Sequence, residues 1–192
     1  MSLADFKSAC RSGKPDEVVQ RFLVDGAAYF FEDAGEEFAF KKSISSALGV
    51  HIRDLAIVGS GKLGFSLKPD KKNPGFYEYK KFDSDRKSDL DVAVVSGYLF
   101  DSQLKKIYEF TDAYSSRIKN YPYVVKQILK GRLRPSSLPE GYLVADEIEE
   151  AKSNLEEVFD REVNFEIYKS WFYFEKYHIN NVNRIILNIV AS

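Results

Sequence analysis

The sequence predicts an α+β fold in which a small mixed β-sheet is flanked by N- and C-terminal helices. Three observations predict it. Apolar residues recur at helical spacing through the first fifty residues, between 100 and 118, and from about 170 onward. Two short apolar runs, Leu55-Ala56-Ile57-Val58 and Leu90-Asp91-Val92-Ala93-Val94-Val95, break that pattern. The order then reads helices, strand, loop, strand, helices, strand, helix, which suits one α+β domain over 1–192. Within it, 1–50 is a helical extension and 51–100 a motif-bearing core with an inserted loop at 66–87. Residues 101–192 hold helices and a third strand.

Each element has its own warrant. Pro15 sits where a first helical turn tolerates it, beside Asp16 and Glu17. Val18, Val19, Phe22, Leu23, Ala27, Phe30 and Phe31 then recur at helical spacing. Gly35 interrupts, and a second helix carries Phe38, Ile44, Ala47 and Leu48 up to Gly49. Leu55–Val58, stopped by Gly59-Ser60-Gly61, reads as a buried strand. Residues 66–87, with Pro69 and Pro74-Gly75, read as a long irregular loop. Leu90–Val95 is a second strand. Phe100, Leu104, Ile107, Thr111, Tyr114 and Ile118 form a helix stripe ended by Asn120 and Pro122. A short helix is expected over 123–130, a loop over 132–141, and a helix through Ile148, Ala151, Leu155, Val158 and Phe159. Val163, Phe165 and Ile167 alternate with Glu162, Asn164, Glu166 and Tyr168, as in a half-buried strand. In the helical tail, Trp171, Phe174, Val182, Ile185, Ile186 and Ile189 point inward.

Composition narrows the chemistry. The 192 residues include 28 Lys and Arg, 29 Asp and Glu, one Cys and two His, for a net charge of -1. No global field draws in nucleic acid, so any polyanion contact is local. A disulfide framework and a Cys/His zinc site are excluded, and carboxylates with a hard metal ion become the expected chemical agents. No apolar run approaches the roughly 20 residues of a membrane span. The N-terminus lacks the apolar stretch of a signal peptide, so a cytoplasmic location without membrane contact is the expectation.

The stretch Ile57-Val58-Gly59-Ser60-Gly61-Lys62-Leu63-Gly64 admits three phosphate-binding readings. A Walker A loop fails, because Ala56 stands where its first glycine belongs. A Rossmann-type dinucleotide turn fits Gly59-x-Gly61-x-x-Gly64, yet Pro69 and Pro74 would cut its helix short. The third reading joins the turn to Ser88-Asp89-Leu90-Asp91.

In that combination the chain resembles the nucleotidyltransferase superfamily, the DNA polymerase β-like fold. A strand runs into Gly59-Ser60, a short helix follows, and a second strand opens with Asp89-x-Asp91. The resemblance covers Leu55 to Ser96 and departs from many members in its longer insertion, which is thermodynamically cheap. It implies a small sheet of the nucleotidyltransferase type and transfer of a nucleoside monophosphate from a nucleoside triphosphate. It also implies Mg²⁺ or Mn²⁺ held by Asp89 and Asp91. Two positions apart on a strand, these carboxylates share a face. Gly59, Ser60, Gly61 and Lys62 are the expected nucleotide-binding residues, Gly59 for close backbone approach and Lys62 as a point charge. The superfamily draws a third catalytic carboxylate from a later strand. Glu166 is the first candidate here, Glu162 the second, and Asp146 a third if Tyr142-Leu143-Val144-Ala145 is a strand.

The acceptor is open: a small molecule, a protein hydroxyl, a nucleotide or an RNA end. The alternative is a catalytically impaired nucleotide- or partner-binding protein of the same fold, a sensor or antitoxin-like module. Residues 66–87 carry seven Lys and Arg against four acids, interleaved with Phe76, Tyr77, Tyr79 and Phe82. That mixture suits a lid or an acceptor-binding flap as well as a solvated loop. Arg132 and Arg134 are loop arginines within reach of a triphosphate or partner in principle, and His178 reads as a packed helix residue.

Overall fold

A computed structural model describes residues 2–73, 75–112, 115–118, 120–135 and 146–191. It is a mixed α+β structure. Strands β1 (Leu55–Val58), β2 (Leu90–Val95), β3 (Arg132–Leu133) and β4 (Val163–Tyr168) form one sheet in the order β1-β2-β4-β3. β1 pairs antiparallel with β2, placing Val58 opposite Asp91. β2 and β4 run parallel, with Asp91 beside Asn164 and Ala93 beside Glu166, and β3 pairs antiparallel with β4.

Eight α-helices surround this sheet among the described residues: α1 (Leu3–Ser12), α2 (Pro15–Val19), α3 (Ala34–Leu48), α4 (Gly59–Leu63), α5 (Gly97–Thr111), α6 (Tyr121–Leu129), α7 (Asp146–Phe159) and α8 (Trp171–Ala191). Their ends follow local chemistry. Ser2 and Asp5 close a capping box on α1. Asp33 accepts from the amides of Gly35 and Glu36 at the start of α3.

Alternation along the strands sorts the core into two faces. Leu55, Ile57, Leu90, Val92, Val94, Val163, Phe165 and Ile167 pack with Phe40 and Ile44 of α3, Phe100 and Ile107 of α5, and Leu155 of α7. Ala56, Val58, Ala93, Val95 and Tyr168 lie on the other face, with Phe174 of α8. A third cluster joins Phe6, Cys10, Val19 and Phe22 to Val182, Ile185 and Ile189 of α8. The last helix therefore seals the second sheet face and holds the N-terminal helices. β4 is for that reason buried on both sides. The alternation of its sequence predicted only half burial, because polar Glu166 faces α8 rather than water.

Other differences are local. The first helical stripe stops short of Phe30, since α2 runs into a π turn at Gln20–Val24 closed by Asp25 N donating to Gln20 O at 2.8 Å. Phe31 reaches the main core from irregular chain. α5 ends at Thr111, before Tyr114 and Ile118, where Asp112 turns left-handed. Pro122 sits in the first turn of α6, where its missing N–H costs nothing, so the helix opens around the residues expected to end the previous one. Arg132 and Leu133, expected in a loop, form the edge strand β3.

The insertion at 66–87 is irregular as expected, and its base is pinned. Phe65 bridges Lys81, and Ser66 N donates to Lys80 O at 2.8 Å. Near its end Arg161 grips both oxygens of Asp83, at 2.8 and 2.9 Å, and donates to Ser88 O at 2.6 Å. The same guanidinium lies over the Phe30 and Phe82 rings. Hydrogen bonding from Arg161 pulls the Asp83 carboxyl down to about 2.

Candidate functional site: a carboxylate pair under a cationic wall

Gly59 ends β1 and begins α4 with φ at +67°, a conformation that L side chains rarely adopt. A Cβ at this position would come within 2.7 Å of Asp91 Oδ2. The Gly-Ser turn and the Asp-x-Asp strand, far apart in sequence, are thus in contact through the β1–β2 register.

Asp91 is largely buried, and its Oδ1 has no hydrogen-bond partner among the described residues. Burial, helped by the negative charges of Asp89 and Glu166, pushes its carboxyl up to about 6. Lys68 and Arg134 offset part of that repulsion. Asp89 is partly exposed, and its Oδ2 accepts from Asn164 Nδ2 at 2.9 Å.

The face carrying Asp91 opens into a cavity of about 270 Å³. Gly59, Ser60, Asp91 and Glu166 line one side, and Tyr177, His178, Asn181 and Arg184 of α8 line another. Lys68, Arg132 and Arg134 supply further positive charge to the wall. A second cavity, of about 540 Å³, adjoins it under the inserted loop and is lined by Ser60, Lys68 and Asp89 among others.

Glu166 is placed on the same sheet face as Asp91 but is fully engaged. Arg132 donates to both of its oxygens, from Nε at 3.0 Å and from Nη2. Tyr168 Oη donates to Oε2 at 2.9 Å, and Arg134 Nε lies 3.2 Å from Oε1. Burial alone would raise the Glu166 carboxyl, but the adjacent Arg132 charge holds it below the usual value. Arg132 also donates to Gln127 Oε1 at 3.1 Å and lies 4.2 Å from the centre of the Tyr177 ring. Among the described residues no three His, Cys, Asp or Glu side chains are grouped to hold a metal.

The other expected site residues fall elsewhere. Gly61 faces inward, where a Cβ would meet Leu90 Cδ2 at 2.9 Å. Lys62 is buried on the far side of α4; its Nζ donates to Gly26 O, and Glu37 is a nearby charge. It does not line either cavity. Glu162 is exposed just ahead of β4 and lines a separate surface hollow with Lys87 and Lys152. Asp146 opens α7, and the run 142–145 before it lies outside the described residues.

The cavity wall from α8 was the less readable half. Tyr177, Asn181 and Arg184 recur at intervals of three and four, the spacing of one helix face. That polar stripe was available in the sequence, beside the stronger apolar one. His178 is buried against Phe174, Tyr168 and Tyr177, and burial drives its imidazole down to about 4, so it is neutral near pH 7.

A dinucleotide-binding unit requires parallel neighbouring strands on either side of its glycine turn. Here β1 and β2 are antiparallel, and the helix after the turn spans Gly59–Leu63 alone. No helix among the described residues is long and apolar enough to cross a membrane. Comparison with protein-family models, with curated proteins and with solved structures finds no significant match.

Proposed function

We propose that the chain is a nucleotidyltransferase-fold protein that moves a nucleoside monophosphate from a nucleoside triphosphate to an acceptor, with Mg²⁺ or Mn²⁺ held by Asp89 and Asp91. The observation that carries the reading is the contact between Gly59 and Asp91 on the wall of a cavity rich in positive charge. Gly59, bare of a side chain, the part-buried Ser60 and Asp91 line that cavity, and Asp89 lines the adjoining one with Ser60.

The residues fit a hard cation. Asp91 presents a buried oxygen without a partner among the described residues, and its ionisation is opposed by burial and by neighbouring carboxylates. An ion between Asp89 and Asp91 would relieve both conditions. Carboxylates are the ligands such ions prefer, and substrate phosphates and water complete their shells. When bound, the metal supplies charge neutralisation at the phosphoryl oxygens.

The protein's own residues account for the rest. Gly59 admits the triphosphate close to the main chain. Arg134, Arg184 and Lys68 offer charge to its oxygens, and Arg132 stays committed to Glu166. In the transfer, an acceptor oxygen forms a bond to the α-phosphorus and pyrophosphate leaves with the broken P–O bond. Holding these atoms in line is the catalytic contribution expected of such a wall.

A specific observation favours the second reading, a nucleotide binder of the same fold that transfers little. Glu166, the first candidate for a third carboxylate, has its oxygens taken by Arg132 and Tyr168. Pyrophosphate release from each of the four ribonucleoside triphosphates, with Mg²⁺ and a mixture of acceptors, separates the two. Turnover lost in Asp89→Asn and Asp91→Asn supports the enzyme. Binding without turnover supports the binder, and neither binding nor turnover refutes the fold assignment's functional consequence.

A further inference from the structure

The carboxylate pair stands at the junction of two cavities. Asp91 lines the smaller one with Gly59, and Asp89 lines the larger one under the inserted loop. Ser60, Ser66, Lys68 and Pro69 line both, so the two spaces share a rim at the proposed phosphate site. A transfer reaction needs this arrangement: a donor on one side of the reacting phosphorus and an acceptor on the other.

The larger cavity has a distinct charge character. Lys68, Lys71, Lys72, Lys80, Lys81 and Arg86 line it, against Asp70, Glu78, Asp85 and Asp89. Three of these carboxylates are engaged within the loop. Glu78 and Asp85 both pair with Lys80, at 3.2 and 2.8 Å. Asp70 Oδ1 accepts from the amides of Lys72 and Asn73, closing its own turn. The side chains of Lys68, Lys71, Lys72, Lys81 and Arg86 are exposed and form no ion pair with a described residue. With Asp89 engaged at the cation site, six cations face three carboxylates and the groove keeps a net positive charge.

The base of the loop is fixed, so the groove is a formed surface. The Phe65–Lys81 bridge holds one end, and Arg161 clamps Asp83 and Ser88 O at the other. Between these anchors Lys71, Lys72 and Arg86 line the groove and are exposed to solvent.

We propose that the larger cavity is the acceptor site, and that the acceptor carries phosphate close to its reacting hydroxyl. The proposal rests on the nucleotidyltransferase reading and names the substrate class that reading leaves open. The accepting hydroxyl oxygen attacks the α-phosphorus at the Asp89–Asp91 junction, its proton passes to solvent, and pyrophosphate departs into the smaller cavity. The phosphate of the acceptor meanwhile rests among Lys71, Lys72 and Arg86. Such contacts weaken with salt, since exposed charges are screened within about 10 Å at 0.1 M.

The test uses the full chain saturated with Mg²⁺ and a non-transferable α,β-methylene triphosphate. Into this complex are titrated adenosine 5′-monophosphate, a pentaribonucleotide and, as neutral control, adenosine. The same titrations are run on the triple variant Lys71→Ala, Lys72→Ala, Arg86→Ala, all three exposed positions, with circular dichroism to verify folding. Binding of the monophosphate or the pentanucleotide, but not of adenosine, is expected, and should weaken about tenfold or more in the variant and with added salt. Preference for the monophosphate assigns a small phosphorylated acceptor, and preference for the pentanucleotide assigns a strand end. Equal binding of adenosine, or unchanged binding in a folded variant, overturns the proposal. Failure of the wild-type protein to take up the methylene analogue refutes the underlying reading instead, and is seen before any acceptor is added.

Discussion

Asp91 and Glu166 lie on one sheet face, on adjacent parallel strands, and have been treated by the fold in opposite ways. Glu166 is buried with Arg132, Arg134 and Tyr168 around it, and its charge is stabilised. Asp91 has Gly59 beside it, an oxygen without a partner among the described residues, and a carboxyl that burial, helped by two like charges nearby, pushes up to about 6. The difference teaches where the sheet is structural and where it is poised. A satisfied carboxylate organises the wall, whereas a buried one short of partners and near like charges carries a cost that a bound cation would relieve.

The largest effect that would break this contrast concerns transfer. Asp89→Asn and Asp91→Asn should each lower Mg²⁺-dependent pyrophosphate release on the order of 10⁴-fold, roughly 5 kcal/mol of barrier. Steady-state assays of the purified variants measure it. Next comes the satisfied side. Arg132→Met removes the two-pronged partner of buried Glu166 and leaves it Tyr168 and Arg134, which should cost about 3 kcal/mol in urea unfolding. The double variant Arg132→Met, Glu166→Gln should recover part of that loss, since the buried charge is gone.

Asp91→Asn should act in the opposite sense on stability. The folded carboxyl titrates at about 6 and the usual value is 3.8, so the folded state binds its proton more tightly. The contribution of Asp91 to wild-type stability therefore falls as pH rises from about 4 to about 6 and stays lower above that window. An amide carries no such cost, so the variant should gain up to about 3 kcal/mol at pH 7.5 and nothing below pH 4. Urea unfolding across that range reads the gap directly. Gly59→Ala, with its positive φ and its close approach to Asp91, should cost about 1–3 kcal/mol. Lys62→Met is expected to show the smallest effect, on the order of 1–2 kcal/mol from the lost bond to Gly26 O, with triphosphate affinity unchanged in calorimetric titration.

Legibility followed the range of the interaction. β1, β2 and β4 appear as short apolar or alternating runs, so the strands that carry Asp91 and Glu166, and the strand that Asp89 precedes, were readable from neighbours in sequence. The Gly59-Ser60 turn was readable because the required backbone is local. The direction taken by Lys62 was not, since it depends on a carbonyl at Gly26, 36 residues earlier. Nor was the capture of Glu166 by Arg132, which needs a two-residue edge strand too short to leave a pattern. The extent of the first helix was lost for another reason: a π turn shifts the periodicity at Gln20–Val24 while keeping the apolar residues buried. The polar face of α8 was masked by the stronger apolar stripe that builds the core beside it.

On the proposed reading, a cation and a nucleotide together would compensate Asp91. Calorimetric titration of wild-type protein and Asp91→Asn with each ribonucleoside triphosphate, with and without Mg²⁺, tests it most directly. The account predicts Mg²⁺-dependent binding of at least one triphosphate to the wild type, and its loss in a variant that is folded and more stable at pH 7.5. A folded Asp91→Asn that binds the Mg²⁺–triphosphate as tightly as the wild type would contradict it.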